Sequence, residues 1–336
     1  MAKIVWSAHK LKYFQQCPRK YYYKYEKKPR LEEIIPPHFA RGIFLHKWVT
    51  KFYKSDGTLK YKSAKAFANS IKGPWRRIVK QGKIQGQKIE KWEWENTPYI
   101  IEAQMIRILK TIYNFYEKQI PPLLKEQRLK TELELEGRIF YLTGQLDEVR
   151  VDNGFIIRDH KTKGKIPKDS VLNFDIQFTF YPLLLASAIK SGSLDSLVLK
   201  VPEILKEKLE LALEKMQGKS LLEIAKSIKL EYHPLSRGKV IPVKTRTPKD
   251  FYDLFNDLAE AEDEIEQYKA IDVWPRKKFS CGECFFSDTC NEDFKEGRKK
   301  IKMQGELFGG FSKPIKIKEK EKTFRIRFPR KKKKKA

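Results

Sequence analysis

Four cysteines constrain this 336-residue chain more than any other feature. Cys17 stands alone near the start, while Cys281, Cys284 and Cys290 crowd near the end in a C-x2-C-x5-C spacing. Four soft thiolates of this kind can hold a [4Fe–4S] cluster or a zinc ion. A zinc ribbon carries two C-x-x-C knuckles, and this chain has one. A local trio completed by one remote thiolate fits an iron–sulfur clasp better. Such a clasp ties the two ends of a domain together around whatever lies between. Four unrelated buried thiols or two disulfides are the plainer alternatives, and the clustering of three of the four cysteines weighs against both.

What lies between has the pattern of a catalytic hairpin. Residues 142–163 read LTGQLDEVRVDNGFIIRDHKTK. Apolar and polar residues alternate on both sides of Asp152-Asn153-Gly154, a hairpin signature. A two-residue Asn-Gly loop would put Asp147 and Asp159 on opposite faces. A three-residue loop, with Gly154 in the left-handed conformation that glycine tolerates, sets Asp147 directly opposite Asp159. Lys161 then follows on the same face by the two-residue period of a strand. Two adjacent carboxylates repel each other unless a cation neutralises them, and hard oxygen ligands on a strand pair suit Mg²⁺ or Mn²⁺. A neighbouring lysine can orient or deprotonate an attacking water, or stabilise charge developing on a phosphate. A surface hairpin with scattered charges is the bland alternative. The unbroken run Phe155-Ile156-Ile157 argues instead for a strand buried on both faces, where Asp and Lys are costly without a function.

Further motifs bracket this hairpin in order: LKYFQQCPRKYYY around Cys17, Gly42-x3-His46, Gly144-x2-Asp147, Asp159-His160-Lys161, Gln177-x3-Tyr181, and the trio Cys281, Cys284 and Cys290. Together they resemble PD-(D/E)XK nucleases of the RecB-like branch, the group that includes the AddB nuclease domain and CRISPR-associated spacer-acquisition nucleases with an iron–sulfur cluster. The resemblance implies an α/β fold with a restriction-endonuclease-like core, a central mixed sheet flanked by helices, plus helical elaborations and an iron–sulfur clasp. It implies a metal-dependent DNA nuclease, acting as an exonuclease in replication, repair or recombination. His46, Asp147, Asp159 and the main-chain carbonyl of His160 would hold Mg²⁺ or Mn²⁺. Lys161 would position the water, and Gln177 and Tyr181 would order the site around the phosphate. Cys17, Cys281, Cys284 and Cys290 would bind the [4Fe–4S] cluster.

The chain departs from that pattern in places. Asp159 replaces the commoner Glu. Pro182 directly follows Tyr181, so the helix there must kink or start late. Residues 55–98 and 191–227 have no counterpart. Taken singly, His46 reads as a packed helical histidine, Gln177 and Tyr181 as a core-capping i, i+4 pair, and the Tyr21-Tyr22-Tyr23 run as core. A non-catalytic, clamp-recruited DNA-binding protein on the same fold and an RNA-processing nuclease are the rival readings.

Charge supports a polyanionic partner. The formal net charge is +28, of which residues 312–336 supply +11, leaving the body strongly basic. Nucleic acid is the first candidate. Trp75, Arg76, Arg77, Trp92 and Trp94 could track and stack on a strand, or the tryptophans could simply turn inward. Gln304, Leu307 and Phe308 have the Q-x-x-L-F form of a peptide that docks on a sliding clamp. The domain is accordingly expected over 1–300, with a flexible basic tail over 301–336. Gly218-Lys219-Ser220 lacks the glycine that a P-loop needs at Leu213, so any unwinding falls to a separate helicase. No apolar run is long enough for a membrane span, and no export signal is evident, so a reducing, cytoplasmic setting is expected.

Expected elements are helices near 7–53, 99–118, 173–190 and 248–268, the long hairpin strands, and two strands near 228–232 and 239–244. The helix at 99–118 is expected to present Ile100, Ala103, Ile106, Ile108 and Leu109 as its apolar stripe.

Overall fold

The structure, a computed structural model, describes residues 3–31, 34–91, 97–162, 166–194, 201–277, 281–282, 284–293 and 325–326. Its centre is a mixed sheet flanked by helices. The long strands β5 (Leu124–Leu135), β6 (Arg138–Val151) and β7 (Phe155–Lys161) form an antiparallel meander. β8 (Lys229–Pro234) then pairs parallel to β7, and β9 (Ile241–Val243) antiparallel to β8. β1 (Val5–Trp6) lies parallel to β6 at Tyr141 and Leu142, and β10 (Arg325–Ile326) borders β5. The parallel step from β7 to β8 requires a crossover. It is made by α7 (Asp169–Asn173), α8 (Gln177–Lys190), α9 (Glu203–Glu214) and α10 (Leu221–Ser227).

Helix α1 (Ala8–Gln16) leads through Cys17 into α2 (Pro18–Tyr21) and a π-helical turn at Tyr22–Glu26. The last long helix, α11 (Pro248–Ile271), begins with a capping box in which Thr247 and Asp250 bond reciprocally. These helices bury Leu11, Phe14, Phe178, Leu185, Phe251 and Phe255 against Leu133, Phe140, Leu142 and Val149 of the sheet.

The opposite side carries a second core. It joins α3 (Pro37–Val49), α4 (Ala64–Asn69), α5 (Lys72–Gln81) and α6 (Thr97–Tyr116) to a small sheet of β2 (Ile34–Ile35), β3 (Lys83–Ile84) and β4 (Gln87–Ile89). Much of the segment without a counterpart is thus a helical cap. Trp75 turns inward, 1% exposed, with its indole N–H donated to the Pro98 carbonyl. It is therefore no stacking platform, while Trp92 and Trp94 lie outside the described residues. The apolar face of α6 also differs from the expected stripe. Ile101, Met105, Leu109, Ile112 and Tyr116 are buried, and Ile100 is 53% exposed. These buried positions keep the i, i+3/i+4 spacing of a single helical face.

The hairpin register is the one a three-residue loop dictates. Val151 pairs with Phe155, Arg150 with Ile156, Val149 with Ile157 and Glu148 with Arg158. Asn153 takes the left-handed conformation, at φ 52°, and Gly154 sits at φ 145°. The expected assignment of the left-handed position to Gly154 therefore shifts to Asn153, a residue that tolerates it.

Behind this hairpin lies a buried charge network. Glu148 contacts Arg150 at 3.3 Å, Arg158 at 3.6 Å and His160 at 3.7 Å, and Arg158 also reaches Glu231 at 2.7 Å. Removing one member strands the others in low dielectric. Glu148→Ala is therefore expected to cost about 3–5 kcal/mol of stability, read as a lower urea midpoint. Burial opposes the Glu148 charge, but His160, Arg150 and Arg158 override it and hold the carboxyl well below the usual range. A depressed folded-state value means this stabilisation is complete above the unfolded value of 4.5 and is lost as pH falls through the folded one. Acid titration should therefore erode the wild type's stability more than that of Glu148→Gln.

Candidate active site

The ladder between β6 and β7 stops at Glu148 and Arg158. One step further the strands no longer bond to each other. The His160 N–H is instead donated to Asp147 Oδ2 at 2.7 Å. Side chain has replaced backbone as the acceptor, and the site opens at this point.

On one side of the opening a chain of contacts links strand to helix. Lys161 Nζ lies 2.6 Å from Asp159 Oδ2 and donates to Gln177 Oε1 at 3.0 Å. Gln177 Nε2 donates in turn to Tyr181 Oη at 3.0 Å. The sequence pattern explains why α8 can approach so closely. A Cβ added at Gly144 would lie 2.6 Å from Leu184 Cδ1 and 3.2 Å from Tyr181 Cε1. Pro182 lies inside α8, in its second turn, where it forgoes the bond that an N–H there would make to the Phe178 carbonyl. The start of α8 is braced from below by Arg246, which is buried and donates to Thr179 Oγ1 and to the carbonyls of Leu172 and Asp175.

On the other side, α3 brings His46 Nδ1 to 3.4 Å from Asp147 Oδ1. Gly42 permits this packing, since a Cβ there would meet Thr162 Oγ1 at 3.2 Å. The sequence-predicted residues His46, Asp147, Asp159, Lys161, Gln177 and Tyr181 are thus brought together. The His160 imidazole is not among them. It lies on the back face, 3.4 Å from the Tyr116 hydroxyl and 3.2 Å from His233 Nδ1, so only its main chain borders the site.

Sequence reasoning missed Glu126. The register that pairs Lys125 with Glu148 and Gln127 with Leu146 sets Glu126 opposite Asp147. Ligand atoms of His46, Glu126 and Asp147 lie within 4.8 Å of one another. Glu126 sits at φ 49°, a conformation costly for a non-glycine residue and concentrated at functional sites. The buried apolar residues of β6 also change phase here, from Phe140, Leu142 and Leu146 to Val149 and Val151. That phase change, readable in LTGQLDEVRV, was the available signal for a special residue on the partner strand.

The electrostatics separate the two aspartates. Burial opposes the Asp147 charge, but His46, His160 and Lys161 prevail and hold its carboxyl low. Asp159 is raised, by burial first and by the neighbouring Asp147. Burial also works against charge on Lys161 and His46, yet Asp159 and Asp147 keep the lysine raised, and Asp147 and Asp159 the histidine. Asp147 and Glu126 share a small basin with the His46 imidazole, an oxygen-rich donor set of the kind that takes Mg²⁺ or Mn²⁺, and Asp159 stands beside it against Lys161. Asp159 Oδ2 is buried and faces the Lys161 ammonium.

The two ends of the described chain meet on a third side. The thiol of Cys17 accepts from the Lys277 N–H at 3.5 Å, and that of Cys281 from Arg276 Nε at 3.3 Å. The Arg19 N–H is donated to the Pro275 carbonyl, and Tyr23 packs with Phe286 and Cys290. All four cysteines are free thiols.

With this geometry in place, the family comparison is decisive. The PD-(D/E)XK nuclease superfamily matches residues 5–291, and the chain belongs to it. No curated protein matches the sequence. Among solved structures, one described as "Crystal structure of SSO0001" is 13% identical, with a TM-score of 0.35, covering 85% of this chain and 86% of its own.

Gly144→Ala should lower stability by about 1–3 kcal/mol through overpacking against the Tyr181 ring. A thermal melt of the variant beside the wild type measures it.

Proposed function

We propose that the protein is a metal-dependent DNA exonuclease that hydrolyses phosphodiester bonds. The observation that carries this reading is the convergence of Asp147, Asp159 and Lys161 from one hairpin with His46 from α3 in a single basin. His46, Asp147, Asp159 and the His160 carbonyl would hold Mg²⁺ or Mn²⁺, with Glu126 beside them. A bound divalent ion would supply Lewis-acid polarisation of the phosphate and lower the pKa of a coordinated water. Lys161, kept cationic by its carboxylate neighbours, orients the attacking water and faces the charge that grows on the phosphate; it is not the base. Gln177 fixes the lysine ammonium, and Tyr181 fixes the Gln177 amide, so the helix sets the direction of the lysine. Affinity for the nucleic acid comes mainly from the basic body, through phosphate contacts.

The four thiols support a [4Fe–4S] clasp. The cluster reading rests on the C-x2-C-x5-C trio and on Cys17, which the fold brings to the same end of the chain. Hydrogen bonds from Lys277 and Arg276 to sulfur are of the kind that tune such clusters. The clamp peptide at Gln304, Leu307 and Phe308 lies outside the described residues, and its docking, like that of a partner helicase, rests on the sequence pattern.

Asp159→Ala and Lys161→Ala should each abolish cleavage of end-labelled DNA in Mg²⁺ or Mn²⁺ while leaving binding largely intact. Wild-type cutting by both would overturn the assignment. Anaerobically purified protein should be brown and carry about four iron per chain. Stoichiometric zinc without iron would refute the cluster and leave the nuclease reading standing.

A further inference from the structure

The basin around His46 and Asp147 continues outward as a cavity of about 650 Å³, within the size range of pockets that enclose small ligands. One wall is a single face of α3, on which Phe39, Gly42, Ile43 and His46 follow at helical spacing. Phe39 therefore stands two turns from His46, about 10 Å along the helix axis. It is 48% exposed. Its ring is not isolated. Phe285, next to Cys284 in the cysteine-bearing end, meets it edge-on with centroids 5.8 Å apart. The His38 ring lies 4.8 Å away on the other side.

A second observation points to an anionic ligand in the same cavity. Arg41 and Lys47 line it. Arg41 is held by one bond, from Nη1 to Gln104 Oε1 at 2.6 Å, while its Nε is buried with no hydrogen-bond partner. Anchored in this way to Gln104, Arg41 is a cation fixed on the cavity wall, and a guanidinium is suited to a phosphate oxygen.

We propose that Phe39 and Phe285 form a stacking wall for one unpaired base close to the scissile phosphate, with Arg41 taking that nucleotide's phosphate. The inference rests on the nuclease reading and deepens it by naming a substrate requirement. A base inside a duplex already has both faces covered by its neighbours, so this wall engages only a single-stranded or frayed end. It also gives the cysteine-bearing end a second task beyond closing the fold, because that end sets Phe285 against Phe39 on the cavity wall.

The test is a binding cycle on full-length Lys161→Ala protein, in which single-stranded oligonucleotides carry one abasic position at a time along each end. Stacking on an aromatic is worth roughly 1–3 kcal/mol per base, so one abasic position should weaken binding about 5- to 150-fold. Phe39→Ala and Phe285→Ala should each lose a comparable amount on intact DNA, and the abasic position should then cost nothing more. Phe39→Tyr should restore binding, and blunt duplex should bind all variants alike. Losses that simply add, or Phe39→Ala binding intact DNA like the parent, would overturn the proposal. Phe39 is half exposed, so its variant should melt with the parent and stays informative even if Phe285→Ala disturbs the cysteines. A non-additive cycle in a wild type that cuts no DNA would sink the nuclease reading and keep the wall. Efficient cutting with an additive cycle would do the reverse.

Discussion

The bond from the His160 N–H to Asp147 holds the site open. Up to Glu148 and Arg158 the hairpin strands satisfy each other, as strands must when buried. Beyond that pair an aspartate side chain takes the donor that a neighbouring carbonyl would have accepted. Strand separation and carboxylate placement are therefore one event. The same residue, His160, anchors the back of the sheet by its imidazole among Glu148, Tyr116 and His233. Burial leaves His233 neutral, with its pKa pushed down to about 2, while Arg150 and Arg158 set guanidinium charge against Glu148 and Glu231. A rigid, charge-balanced back face supports a front face whose carboxylates would repel without a cation.

Much of this was readable in the chain because local rules and tertiary demands agreed. The three-residue turn at Asp152-Asn153-Gly154 determined the register, and the register determined which face Asp159 and Lys161 share. The glycine of Gly144-x2-Asp147 has a packing reason that a pattern alone could only hint at, the passage of Tyr181 and Leu184 over the strand. The parallel partner β8 was expected as a strand, but its pairing depends on a crossover that periodicity does not reveal.

The misses have physical causes. Glu126 escaped notice because its backbone leaves the β region, and an alternation argument fails where φ turns positive. Trp75 looked available beside two arginines, yet its indole completes the cap's core and Arg76 pairs with Glu102. On α6 the expected stripe held at Leu109, and at its margin in Ile106 and Ile108, but Ile100 was taken in place of Ile101, since the two are chemically alike and only packing chooses between them.

On the proposed function, the basin beneath α3 binds a divalent ion for phosphodiester hydrolysis. Anomalous diffraction from crystals soaked in Mn²⁺ tests it most directly. A peak is expected among the His46 imidazole and the carboxylates of Asp147, Asp159 and Glu126, lost in Asp147→Asn. Saturating Mn²⁺ that leaves this basin empty, in crystals whose dissolved protein cuts DNA, would contradict it.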